Sequence, residues 1–153
     1  MLEDFGLMAR YMRDDEKAQI EALTGEPYDA DRVARLFANV PGPVYACLGR
    51  DGFPLLVGGF IPQRPGVYRA WMAGTQAGWD AHGRTYSRMA RRAIRAMLAT
   101  GAHRVEIVSL ANRLSAHNWY ERHLGLRDEG VSVGWFADGQ DARTHAIIRR
   151  KEA

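Results

Sequence analysis

Cysteine is almost absent from this 153-residue chain, where Cys47 stands alone. That excludes an internal disulfide framework and suits a reducing compartment. Lysine is nearly as scarce, represented by Lys17 and Lys151, so the formal net charge of +3 rests on arginine. A charge this small does not diagnose a nucleic-acid protein. No apolar run approaches the roughly 20 residues that a membrane helix needs, and residues 1–17 lack the apolar core of a signal peptide. The expectation is a cytoplasmic protein with no membrane partner. Gly-x-Ser-x-Gly and Walker sequences are missing as well. His82, His103, His117, His123 and His145 include no pair at helical zinc spacing, and Cys47 has no second cysteine, so no metal site is expected. What is present is ordinary: 46% hydrophobic and 25% charged residues, the composition of one globular domain over residues 1–153 with a core of its own.

The pattern along the chain changes period twice. Gly6 to Met12 reads as a short strand. Asp14, Asp15 and Glu16 place acids at the positive end of a helix that runs to about Leu23 and stops at Gly25. A second helix is predicted from Asp31 to Ala38. Val44 to Leu48 and Phe53 to Val57 are apolar runs joined by Gly49-Arg50-Asp51-Gly52, a hairpin signal. Gly58-Gly59 suggests a bulge or a close backbone approach, and Val67 to Ala73 is a third strand. Arg84 to Thr100 is the strongest helix, with Met89, Ala90, Ala93, Ile94 and Met97 on one arc and Arg84, Arg88, Arg91 and Arg95 opposite. Arg104 to Leu110 reads as a strand and Arg113 to Leu124 as a helix ended by Gly125. Val131 to Phe136 and Thr144 to Arg149 form a closing hairpin over Asp138-Gly139. The order β-α-α-β-β-β-α-β-α-β-β implies an α/β (α+β) domain with a mixed, mostly antiparallel sheet and helices on both faces.

That order, together with the residues of the second half, resembles the GNAT superfamily of N-acetyltransferases. Gly101-Ala-His-Arg-Val-Glu-Ile-Val-Ser-Leu is similar to the family's passage from its long helix into the fifth strand. Asn112, Ala116, Tyr120 and Gly125-Leu126 are similar to its Asn-x-x-Ala-x-x-x-Tyr-x-x-x-Gly-Phe signature, with one extra residue before Ala116 and one before Gly125. A narrower resemblance joins Arg50-Asp-Gly-Phe-Pro-Leu-Leu-Val-Gly-Gly, Ala70-Trp-Met-Ala-Gly-Thr and the basic long helix. It points to a small GNAT-like family of short-tailed bacteriophages, described as acetyltransferase-like or as internal virion and assembly proteins.

The GNAT resemblance implies acetyl-CoA as co-substrate, lying between two splayed strands, here Val67 to Ala73 and Arg104 to Leu110. It implies Tyr120 as the acid that protonates the leaving thiolate, although an aromatic on the core side of an amphipathic helix would look the same. Ser109 and Asn112 would flank the cofactor arm. Glu106 is the candidate base, and its competing reading is a carboxylate paired with Arg104 or Arg69. In the family the long helix opens with Gln/Arg-x-x-Gly-x-Gly/Ala. Matching the apolar phase without a gap puts Ala81 to Tyr86 there, with Arg84 and Tyr86 in place of the glycines. Either His82, Gly83, Arg84, Thr85 and Arg88 hold the phosphates largely by charge, or acetyl-CoA does not bind.

Two functions follow. One is transfer of an acetyl group to an amine, on a protein or a small molecule. The other is a non-catalytic phage virion or assembly protein, whose partners are other virion proteins. A nucleic-acid partner is not expected, because arginines recurring on one helix face are ordinarily its solvated side and no known nucleic-acid fingerprint accompanies them.

Overall fold

A computed structural model describes residues 2–149. The chain opens with three helices, α1 (Leu2–Tyr11), α2 (Asp14–Thr24) and α3 (Ala30–Ala38). Strands β1 (Val44–Leu48), β2 (Pro54–Arg64) and β3 (Val67–Gly74) follow, then the long α4 (Gln76–Ala99) and β4 (Arg104–Leu110). A short α5 (Leu114–Trp119) continues into a π turn (Tyr120–Leu124), and β5 (Arg127–Ser132) and β6 (Ala142–Ile148) close the fold. Among the described residues no helix is long and apolar enough to cross a membrane.

The six strands form one sheet in the order β1-β2-β3-β4-β6-β5. Every pairing is antiparallel except β3 with β4, where the strand–helix–strand crossover makes the pair parallel. On one face α1 and α3 bury Phe5, Met8, Met12, Val33 and Phe37 against Val57 and Ala73. Beside them Ala22 of α2 meets Leu110, Ala142 and Phe136. On the opposite face α4 and the π turn pack Ile94, Tyr120 and Leu124 on Phe60 and Val105.

Four expectations need correction. Residues 6–11 are helical, not a strand: Phe5, Met8, Ala9 and Met12 recur at helical spacing and all are buried. Met12 keeps one isolated antiparallel bridge to Thr75. The long helix starts at Gln76, eight residues before Arg84, because Thr75 caps it by accepting the Gly78 N–H at 3.0 Å. Met89 lies outside the sheet-facing arc; it is 43% exposed, and its sulfur sits 3.8 Å from the Cys47 Sγ. Finally, β5 covers 127–132 rather than 131–136. Its residues are all exposed, so no alternation marks it, while Phe136 is buried from a loop.

The glycine pair resolves as a close approach: a Cβ on Gly59 would lie 2.3 Å from the Pro43 carbonyl oxygen, and one on Gly58 2.7 Å from that of Trp71. The extra residue before Gly125 is absorbed by the π turn, in which the Gly125 N–H bonds to the Tyr120 carbonyl five residues back.

Ile94 is 3% exposed and centred on the sheet-facing side of α4, whereas Arg91 is exposed. Urea unfolding of Ile94→Ala should show a loss of roughly 2–5 kcal/mol, and Arg91→Ala a change within about 0.5 kcal/mol. Equal losses would mean that the helix is rotated from the position described.

Candidate active site

The parallel pair is short. β3 and β4 are in register only at Val67↔Arg104, Tyr68↔Val105 and Arg69↔Glu106, and past that point they diverge. The wedge between Ala70–Gly74 and Ile107–Leu110 is where main-chain groups lose their ladder. Alternation identifies them. The Thr75 N–H bonds across to Leu55 of β2, so Gly74 and Met72 direct their N–H and C=O groups to the other side, into the wedge.

Helix α2 closes the wide end of the wedge with side chains. Glu16 accepts the Gly74 N–H at 2.9 Å and an Arg13 guanidinium N–H at 2.8 Å. The Arg13 N–H donates to the Gly74 carbonyl. Gln19 accepts the Leu110 N–H at 3.2 Å and reaches the Val108 carbonyl at 3.5 Å. Arg113 bridges Gln19 and Asp15, at 2.8 Å to each. Among the described residues, no register partner from β4 meets Met72 across the gap.

From the opposite face Tyr120 enters beside Ser109, whose buried hydroxyl faces the phenol. Burial raises the Tyr120 phenol above its ordinary 10, against the charge of Arg113 and the Ser109 hydroxyl, with Glu16 and Asp15 adding to the rise. The phenol therefore keeps its proton at neutral pH. Glu16 is also raised: burial penalises its carboxylate by more than Arg13 and the Gly74 N–H favour it. Trp119 donates to the Ser87 hydroxyl at 2.8 Å and packs edge-on against Trp79, filling the space between α4 and α5 on this face.

Of the residues picked out from sequence, Tyr120 and Ser109 meet at the wedge. Asn112 is exposed in the turn after β4. Glu106 sits at the apex of the wedge, held by Arg69 and Arg104 at 3.0 Å each, with Glu129 also paired to Arg104. Burial pushes its carboxyl up, but the two guanidinium groups outweigh that and hold it below 4.5. The geometry is that of the paired carboxylate.

The assumed phosphate cradle is displaced. His82, Gly83, Arg84, Thr85 and Arg88 lie inside α4, the first of them six residues past its start, and the N–H groups of a helix interior are already bonded within it. The true junction between β3 and α4 is the single residue Thr75. Gly78, in the first turn, is a packing glycine, since a Cβ there would lie 2.6 Å from the Tyr86 hydroxyl and 2.9 Å from the Leu55 carbonyl oxygen.

Glu16 and Gln19 escaped sequence reasoning because Asp14-Asp15-Glu16 looks like an acidic helix start. The one signal was Glu16 on the same helical side as Ile20. Sequence separation also hid the pairing of His117 with His145, whose rings stack at 5.1 Å. Ligand atoms of His145, Glu121 and Asp128 fall within 4.8 Å of one another, but Glu121 bonds to His145 and Asp128 to Arg143 at 2.9 Å.

No protein-family model matches the chain, and neither does any curated protein. Solved structures do. A GNAT-family acetyltransferase from Bacillus anthracis aligns with TM-score 0.74 at 14% identity, over 97% of this chain and 90% of that one. A ribosomal-protein-alanine N-acetyltransferase from Brucella melitensis gives 0.72 at 14%, over 97% and 96%. A mutant of spermidine N-acetyltransferase from Vibrio cholerae gives 0.70 at 14%, over 97% and 91%. The fold of this chain is the GNAT fold.

Glu16 binds its proton more tightly folded than unfolded. Its contribution to stability is therefore complete below pH 4.5 and is lost as pH rises through the raised folded value. Glu16→Gln keeps an acceptor for Gly74 and removes the titration. Thermal melts from pH 4 to pH 8 should show the wild type losing stability relative to this variant. A relative gain with rising pH would contradict the burial-dominated environment assigned to Glu16.

Proposed function

We propose that this chain is an N-acyltransferase that moves an acetyl group from acetyl-CoA to an amine, with the thioester arm lying in the β3–β4 wedge. The observation that carries the reading is the divergence of these strands past Arg69↔Glu106, which leaves the Met72 peptide without a partner from β4, while a buried, protonated tyrosine reaches Ser109 on that strand. The Met72 N–H is placed to donate to the thioester carbonyl oxygen, where charge develops as the amine attacks. Glu16, on the α2 side, takes the proton of the incoming ammonium. The carbon–sulfur bond then breaks, Tyr120 gives its phenolic proton to the leaving thiolate, and the second proton on nitrogen returns to the phenolate through water. Glu106, kept ionised, anchors Arg69 and Arg104 at the apex.

The nucleotide end of acetyl-CoA fits less well. A one-residue junction capped by Thr75 leaves no loop of bare N–H groups for a pyrophosphate. His82, Arg84 and Arg88 would have to hold the phosphates by charge alone. The same observation favours a second reading, a GNAT fold kept without catalysis.

Calorimetry and thermal melts with acetyl-CoA, and with S-acetylpantetheine, which lacks the nucleotide, separate the two. Under the first reading acetyl-CoA gives a saturable signal, with stabilisation of about 2.7 kcal/mol at a hundredfold its Kd. S-acetylpantetheine should bind measurably too, because the arm supplies the main contacts. Tyr120→Phe should bind equally and transfer roughly 10²–10⁴-fold more slowly to a polyamine or peptide amine. No response to either thioester would establish the non-catalytic reading instead.

A further inference from the structure

Helix α4 carries an arginine ridge of which acyl transfer would use only the first members, Arg84 and Arg88. Arg84, Arg88, Arg91, Arg92 and Arg95 are all exposed, and none has a carboxylate partner among the described residues. No acid occurs between Asp80 and Glu106. On the opposite face of the sheet the balance reverses: residues 2–38 hold nine carboxylates against five basic side chains. Charge is therefore segregated across the sheet. Arg95 lies about 28 Å along the axis from the first residue of α4, so the ridge runs away from the wedge and is not its extension.

The structure also places an exposed aromatic on the strand that α4 touches. Met89 meets Cys47 of β1 at 3.8 Å. Tyr45 is two residues from Cys47 and so shares its face, the α4 side, where it packs edge-on against Phe60 and stays 54% exposed. Thr85, Arg88, Met89, Arg91, Arg92 and Arg95 line a shallow groove of about 410 Å³ along the helix.

We propose that this ridge and Tyr45 bind single-stranded nucleic acid, with guanidinium groups on the phosphates and a base stacked on the tyrosine ring. A positive groove that follows a backbone, flanked by an exposed aromatic, is the minimal device for a single strand. Arginine suits it because its planar fork matches phosphate oxygens and stacks on rings. The stretch from Arg84 to Arg95 is roughly 16 Å long, enough for several phosphates of one strand to meet its arginines. A duplex keeps its bases stacked inside and cannot offer one to Tyr45, so the single strand is the occupant. The acidic α1–α3 face repels the same ligand and fixes the side from which it docks.

Fluorescence anisotropy of the full chain with a labelled 12-nucleotide oligo-dT, from 50 to 300 mM salt, tests this. Three to four neutralised phosphates should give a slope of log K on log salt of about −2 to −3. Arg88→Ala, Arg91→Ala, Arg92→Ala and Arg95→Ala combined should weaken binding at least ~10-fold with an unchanged melting curve, since all four are exposed. Tyr45→Ala should weaken it about 10-fold and Tyr45→Phe should restore it. The proposal is overturned if the strand does not bind at 50 mM salt, if the fourfold variant binds as well as wild type, or if polyglutamate competes equally. Duplex DNA binding as tightly as the single strand, with no effect of Tyr45→Ala, would also overturn it.

Discussion

Everything distinctive about this fold depends on a ladder that stops early. β3 and β4 share three register pairs and then part, and a sheet cannot open in its middle unless something else satisfies the main chain exposed there. Here α2 does so. Glu16 takes the Gly74 N–H, Gln19 takes the Leu110 N–H, and Arg13 and Arg113 hold both side chains in place. One helix thus substitutes for a missing strand edge at the wide end of the wedge, while the Met72 peptide further in is left without a partner strand. This arrangement explains why a residue as hydrophilic as Glu16 is 5% exposed.

Two carboxylates mark the ends of the wedge and behave in opposite ways. Glu106 at the apex has two guanidinium groups within 3.0 Å and is held charged. Glu16 at the mouth has one guanidinium and one amide donor, and its deeper burial outweighs them. Two carboxyl groups thus have separated proton affinities, beside a phenol that stays protonated. The pyrophosphate end has no comparable device, since Thr75 spends its side chain on the helix it begins.

The architecture was largely legible in the sequence because its signals are local. The hairpin turn between β1 and β2, the stop of α2 at Gly25, and the strand–helix–strand crossover each rest on a few adjacent residues. What escaped was decided by tertiary contacts. Residues 6–12 contain enough apolar positions for either period, and packing of Met8 and Met12 on α3 and β3 selects the helix. The start of α4 was hidden by Gly74 and Gly78, which look like loop residues and are in fact places where Trp79 and Tyr86 press against backbone. Tyr120 was readable from its spacing, and its extra residue became a π turn. Glu16 and Gln19 were not, because their partners lie 58 and 91 residues away.

The central claim is that the wedge leaves one main-chain donor free for a thioester, and native-state hydrogen exchange at single amides tests it most directly. Trp71 and Ala73 pair with β2, and Gly74 is held by Glu16. The Met72 amide should therefore exchange much faster than these three neighbours in the free protein, and slow on addition of an acetyl thioester. Protection of Met72 equal to that of Trp71 and Ala73 in the free protein, unchanged by the thioester, would contradict the account.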